Sequence, residues 1–266
     1  MNDMTVKEFV SSKKEELRKE VETLEKVPFL TIIRVGDDPA SVSYTKGKIK
    51  DAEEVGFHSE MIVLDENVTQ SELLKIIQEK NADTNVDGIL VQLPLPKHIS
   101  TASINDTINP KKDVDGFTPN SRYTPCTPKG IVTYLEAIGF DFDGKNAVVL
   151  GRSQIVGLPM AKLLISKNMN VTVLHSHTSL EDKKFYIKHA DLIVVAIGKL
   201  GYLDNSYEYN RNAVIVDVGI NRDENGKLHG DAAPGLPVRL QTPVPGGVGL
   251  LTRLALLMNL LEASKK

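Results

Sequence analysis

Four apolar runs, Ala147-Val148-Val149-Leu150, Val171-Thr172-Val173-Leu174, Leu192-Ile193-Val194-Val195-Ala196 and Ala213-Val214-Ile215-Val216-Asp217-Val218, are nearly continuous rather than alternating. Runs of this kind suit strands covered on both faces, as in a parallel sheet flanked by helices. The first run leads through Gly151-Arg152-Ser153-Gln154-Ile155-Val156-Gly157 into a helical pattern of Met160, Ala161, Leu163, Leu164 and Ile165. Strand, glycine turn and helix in that order offer unpaired N–H groups and a partial positive charge to a phosphate, so a dinucleotide is the natural ligand. Ser153 occupies the second glycine position of the usual fingerprint and the last glycine falls one residue late. An ordinary strand-to-helix turn is therefore an equal reading of this stretch alone.

The alternation begins earlier. Thr5 with Glu8 forms a capping box before Phe9, Val10, Leu17, Val21 and Leu24, which repeat at helical spacing. Leu30 to Val35 is β-branched and stops at Gly36-Asp37-Asp38-Pro39, and a second helix is predicted from about Ala40 to Val55, ending at Gly56. Met61 to Leu64 is a strand, Thr69 and Glu72 open a third helix, and Gly88 to Gln92 is a buried strand ended by Leu93-Pro94-Leu95-Pro96. A short helical piece follows near Ser103 to Ile108. Residues 109–128, rich in proline, glycine and aspartate, are the expected domain junction. Thr127 and Pro128 read as N-cap and first residue of a helix ending at Gly139, and Asn225-Gly226 as a tight turn. A last helix over Leu254 to Leu261 is apolar on nearly every side and is expected to pack between domains.

A formal net charge of −3 carries no electrostatic footprint for nucleic acid or an anionic membrane, which leaves small molecules as the expected partners. One cysteine, Cys126, excludes an intramolecular disulfide framework, and the polar N-terminus does not read as a secretory signal. No apolar run approaches the about 20 residues of a spanning helix. The reading is a cytoplasmic protein.

Several residues could do chemistry. Tyr44 and Lys48 lie four apart, on one helix face, although a solvated lysine beside Lys46 and Lys50 is the ordinary reading. Asp113 and Asp115 sit in a loop just past the proline-rich strand end, where ligand sites commonly form and where carboxylates are also commonly just solvated. His175 and His177 suggest a cofactor contact over a metal pair, since no further ligand completes a set; no metal is expected. Cys126 reads as a small buried side chain rather than a nucleophile. Pro243-Val244-Pro245-Gly246-Gly247-Val248-Gly249 is a ligand clamp or a tight linker.

Taken in order, Pro39-Ala40-Ser41-x-x-Tyr44-x-x-x-Lys48, Gly88 to Pro96, Lys112-Asp113-Val114-Asp115-Gly116, Pro125-Cys126-Thr127-Pro128, Gly151-Arg152-Ser153-x-Ile155-Val156-Gly157, Asp217-Val218-Gly219-Ile220-Asn221 and Pro243 to Gly249 resemble one family. It is the bifunctional methylenetetrahydrofolate dehydrogenase/methenyltetrahydrofolate cyclohydrolases. The resemblance runs over almost the whole chain.

It implies an α/β protein of two domains flanking a cleft, the second a Rossmann-like parallel-sheet NADP-binding domain. The expected division is residues 1–120 for the folate-binding catalytic domain, completed by a C-terminal helix over 250–266, and 121–249 for the NADP-binding domain. It further implies oxidation of 5,10-methylenetetrahydrofolate with NADP and hydrolysis of the product to 10-formyltetrahydrofolate, in one-carbon metabolism. Lys48 resembles the catalytic lysine, Tyr44 the tyrosine beside the folate, Gln92 the glutamine that hydrogen-bonds the lysine, and Asp115 the aspartate that holds the pterin. Gly151, Arg152, Ser153, Ser176 and Ile220 resemble cofactor contacts. Pro243, Gly246 and Gly247 resemble substrate-binding positions on the nicotinamide side.

Arg152, Ser153 and Ser176 supply a cation and hydroxyls for a 2′-phosphate, and no acidic residue ends the second strand, so NADP is expected over NAD. A homodimer is expected from the resemblance, and because the strands near Ile193 and Ile215 lie in a sheet whose outer surface needs covering. Against the family pattern, the stretches after Asp115 and after Ala232 are short, Leu250-Leu251 replaces Pro-Met, and His177 stands where a basic residue is common. Those trims bear on dimer contacts and folate-tail binding. Two other readings compete: a dehydrogenase without the hydrolytic step, and a non-catalytic nucleotide-sensing module.

Overall fold

The structure is a computed structural model that describes residues 1–265 and forms two compact units. One comprises Ser11–Cys126 together with the chain from Arg253 onward; the other comprises Met1–Val10 and Thr127–Thr252. The divisions fall inside the first helix, between Cys126 and Thr127, and inside the last helix, and the first ten residues group with the C-terminal unit.

The chain opens with α1 (Val6–Val21), whose capping box is formed: Glu8 N–H donates to Thr5 Oγ1, and Thr5 N–H to Glu8 Oε2. Then come β1 (Phe29–Val35), α2 (Pro39–Glu54), β2 (His58–Leu64), α3 (Gln70–Ala82), β3 (Gly88–Val91) and α4 (Thr101–Thr107). The three strands make a parallel sheet in the order β2-β1-β3, with Ile32 paired to Met61 on one side and Leu90 on the other. Ile33, Leu73, Ile77, Ile89 and Ile104 form a core beneath it, each 1% exposed or less. A fully buried side chain of that size contributes about 1.5–3 kcal/mol, so this cluster is what anchors the loops at the strand ends. Asp38 caps α2 by accepting from Ser41 N–H at 2.8 Å, and Pro39 fills the first turn, where no partner for an N–H is needed.

The second unit contains α5 (Cys126–Ala137), β4 (Asn146–Leu150), α6 (Gly157–Ser166), β5 (Asn170–Leu174), α7 (Leu180–Lys188), β6 (Leu192–Val195), β7 (Val214–Asp217), a small hairpin of β8 (Asn221–Arg222) and β9 (Leu228–His229), and β10 (Leu240–Gln241). The main strands form a five-stranded parallel sheet in the order β10-β7-β6-β4-β5. Strand order therefore reverses between β4 and β6, and in open α/β sheets ligands bind outside the strand ends at such a switch point. Two boundaries differ from expectation. Helix α5 already includes Cys126, so Thr127 and Pro128 lie in its first turn instead of capping it. The last helix, α8 (Val248–Ser264), takes over the end of the Pro243–Gly249 loop and is longer than the apolar pattern alone predicts. Among the described residues no helix is long and apolar enough to cross a membrane.

Candidate active site

Helix α2 turns an unusual face inward: Ser41, Thr45, Lys48, Asp51 and Ala52 are its buried residues. Their spacing is helical, so Lys48 goes in where Lys46 and Lys50 remain exposed. Its Nζ lies 4.9 Å from the centroid of the Tyr44 ring one turn earlier and donates a 3.0 Å hydrogen bond to Oε1 of Gln92. Gln92 directly follows β3; its N–H extends the ladder to Ile33 O, and its Nε2 donates to Leu93 O at 2.6 Å. The amide is thereby oriented with its oxygen toward the lysine.

The two neighbouring carboxylates have separate duties. Asp113, 2% exposed, accepts from the N–H groups of Gly116 (3.0 Å) and Thr118 (2.7 Å) and so shapes the loop. Asp115 faces Lys48, and burial pushes its carboxyl up, opposed by the lysine charge and reinforced by Asp113. Burial likewise holds Lys48 below the ordinary lysine value; Asp115 and Cys126 pull it back up, and Arg253 pushes it further down. Among the described residues no carboxylate forms an ion pair with Lys48, and a buried amine of this kind can act as a base because desolvation disfavours its ammonium form.

Two residues here were not recognised as part of a site from sequence. Cys126, 1% exposed, donates from Sγ to Val114 O at 3.2 Å and sits beside Asp115. It is buried, as its surroundings in sequence suggested, but beside the site. Asn259, fully buried on α8, donates from Nδ2 to Val114 O (2.8 Å) and Thr124 O (3.1 Å), pinning both ends of the loop that carries Asp115. The available signal was a polar side chain inside an otherwise apolar helix.

In the other unit Gly151 directly follows β4 at the switch point with φ 113°, and a Cβ there would collide with the carbonyl of Ala196, which directly follows β6. Only glycine lets the two strand ends approach so closely. Arg152 and Ser153 are exposed at this turn, and Ser153 Oγ accepts from Val156 N–H (3.1 Å) and Gly157 N–H (3.3 Å) at the start of α6. Ser176 is exposed in the turn after β5, where Arg152, His177 and Lys183 all depress the His175 pKa after burial. Ile220 is 64% exposed just past β7. Pro243 is exposed, Gly246 takes φ 96°, and Gly247 packs against the Pro243 carbonyl.

The loops after β6 and β7 are joined by two aspartates: Asp217, which the sequence placed only within a family motif, and Asp231, which it did not single out. Asp231, fully buried, accepts from the N–H groups of Ile197, Gly198 and Lys199 at 2.7–2.9 Å and from Asn221 Nδ2 at 2.9 Å. Asp217 accepts from Gly219, Asp231 and Ala232 N–H. Together they rigidify the segment that presents Ile220.

Residues 4–115 match the family model described as tetrahydrofolate dehydrogenase/cyclohydrolase, catalytic domain, and residues 125–266 match that of its NAD(P)-binding domain. The bifunctional protein FolD of Agathobacter rectalis is 47% identical over 268 residues, spanning 95% of each chain. A crystal structure of the bifunctional FolD methylenetetrahydrofolate dehydrogenase/cyclohydrolase from Campylobacter jejuni matches with a TM-score of 0.94 at 42% identity, covering 98% of this chain and 97% of that one. The methylenetetrahydrofolate dehydrogenase-cyclohydrolase of Trypanosoma brucei, complexed with NADP and an inhibitor, matches with a TM-score of 0.92 at 33% identity over 98% and 96%.

Proposed function

The chain belongs to the tetrahydrofolate dehydrogenase/cyclohydrolase family, and from that membership we propose how its own residues divide the work. It is a bifunctional enzyme that oxidises 5,10-methylenetetrahydrofolate with NADP and hydrolyses the methenyl product to 10-formyltetrahydrofolate. The observation that carries the assignment of roles is the buried Lys48 amine, held by Gln92 and faced by Asp115.

We assign the folate to the unit of Tyr44, Lys48, Gln92 and Asp115. An ionised Asp115 accepts from two adjacent N–H donors of the pterin's amino-pyrimidinone edge, and the Tyr44 ring packs beside it. Engaging the pterin spreads the Asp115 charge over two donors and weakens its pull on Lys48, so substrate binding itself favours the neutral amine. In hydrolysis a water oxygen bonds to the cationic methenyl carbon while Lys48 Nζ takes a proton from it. The tetrahedral adduct then collapses: its hydroxyl proton leaves to solvent, the carbonyl forms, the bond from carbon to N5 breaks, and N5 takes the proton back from Lys48. Gln92 holds the amine without adding negative charge, which would favour ammonium.

The cofactor is assigned to the other unit. The residues fit it: Gly151 keeps the switch point free of a side chain, Arg152 brings a fixed cation, and Ser153 and Ser176 bring hydroxyls for a 2′-phosphate. NADP when bound supplies the hydride acceptor. Ile220, on its braced segment, orients it, and Pro243, Gly246 and Gly247 are assigned to substrate contact.

We further propose a cytoplasmic homodimer. The sequence argument from Ile193 and Ile215 does not support it, because both are fully buried within the monomer. Support comes from the resemblance to the family. Light scattering that reports a monomer at micromolar concentration would remove the dimer. A coupled assay tests the enzyme: purified protein given methylenetetrahydrofolate and NADP is expected to form NADPH and then 10-formyltetrahydrofolate. NADPH formation without hydrolysis would leave a monofunctional dehydrogenase, and binding of both ligands without turnover a sensing module.

A further inference from the structure

Arg253 is the one arginine or lysine of α8. Its guanidinium lies directly on the backbone of α2 at Gly47, where an added Cβ would collide with Nη1. Gly47 immediately precedes Lys48, so this arginine is seated against the turn that carries the proposed base. Its Nε stands 2.8 Å from Oδ2 of Asp51, a buried carboxylate on the same inward face, yet Nε–H makes no hydrogen bond among the described residues. The Asp51 contact is thus a charge pairing without directed alignment. Asp51 also receives Lys14 Nζ at 2.6 Å, and Lys14 reaches Glu54 at 2.8 Å.

We propose that Arg253 is a positioning residue for the cyclohydrolase base: seated on Gly47 and paired with Asp51, it fixes the α2 turn and supplies a permanent positive charge behind Lys48. This rests on Lys48 being the base. Among the described residues, the groups that act on Lys48 are Tyr44 on its own helix, Gln92 after β3, Asp115 in the loop, Cys126 at the start of α5, and Arg253 on α8; Asp51 shares the buried face of α2, and Asp113 acts on Asp115. Asp115 and Cys126 favour ammonium, and Arg253 is the cation that opposes them. An arginine suits this task because it stays charged throughout the working pH range. Removing it has one sign by two routes. The opposing cation disappears, and the Asp51 carboxylate is left with Lys14 alone, so Lys48 holds its proton to higher pH.

The test is the pH–rate profile of methenyltetrahydrofolate hydrolysis for the unaltered protein and for Arg253→Met, Arg253→Lys, Asp51→Asn and Lys48→Met. Arg253→Met is expected to move the acid limb upward by about one pH unit, with kcat largely recovered at high pH and KM for methenyltetrahydrofolate nearly unchanged. Arg253→Lys is expected to restore the original limb. Asp51→Asn removes the compensating anion and is expected to move the limb downward, which gives an independent reading should Arg253→Met fail to fold. An unmoved limb in Arg253→Met, or in Asp51→Asn where Arg253→Met cannot be measured, overturns the role of Arg253. Loss of activity at all pH values to the same extent would overturn it too, as mere structural damage. If Lys48→Met keeps the acid limb, the base assignment itself has failed and not only the role of its neighbour.

Discussion

Nζ of Lys48 donates to Oε1 of Gln92 across 3.0 Å, joining the inward face of α2 to the residue that ends β3. A neutral acceptor in that place orients the amine without a counter-charge. Replacing it tests the electrostatics directly. Gln92→Glu puts a carboxylate beside the amine and stabilises ammonium, so the Lys48 pKa rises. Because the neutral amine is the active form, hydrolysis increases with pH through that pKa and fails as pH falls through it. The acid limb of the unaltered protein is therefore expected below the ordinary lysine value of about 10.4, and that of Gln92→Glu at least about one unit higher. A pH–rate profile measures both.

Lys48→Met separates the two activities. General base catalysis contributes roughly 10²–10⁴-fold, so hydrolysis should fall by at least that factor. The redox step, which needs no protein base, should fall much less, and NADP affinity should not change. Equal loss of both activities at unchanged folate affinity would show that Lys48 is not the base.

Gly151→Ala forces a side chain against the Ala196 carbonyl at a left-handed φ. The strain costs about 1–3 kcal/mol, read as a lower urea midpoint. Movement of the β4–β6 strand ends should also weaken NADP in a fluorescence titration. Unchanged stability and affinity would mean that the switch point tolerates displacement.

Arg152→Ala removes the exposed cation assigned to the 2′-phosphate. KM for NADP should rise about tenfold or more, the scale of one charge-assisted contact, while turnover with NAD changes little. A proportional loss with both cofactors would place Arg152 elsewhere on the nucleotide.

Asp231→Ala strips the acceptor from three backbone N–H groups and Asn221. Unsatisfied buried donors cost about 1–3 kcal/mol each and do not sum simply, so a loss of about 3 kcal/mol or more is expected in chemical denaturation. Asp231→Asn keeps one acceptor oxygen and should recover part of it.

Much of the fold was legible because its signals are local. The capping boxes at Thr5 and Thr69, the unbroken β-branched runs and the glycine turn at 151 each depend on residues within a turn or two of one another. Side-chain period and cap chemistry act over that range whatever the rest of the chain does. The inward face of α2 was not legible: its stripe of Ser41, Thr45, Lys48 and Asp51 is polar, so nothing apolar marks which side is buried, and Lys48 stood out from Lys46 and Lys50 only by resemblance. Partnership was decided by tertiary structure alone. Gln92 meets Lys48, Arg253 rests on Gly47, Asn259 pins the Asp115 loop, and Asp231 gathers the amides of Ile197 to Lys199. Burying a polar group costs free energy unless a partner is supplied. Here those partners come from distant segments, which meet only when the sheets and helices have assembled.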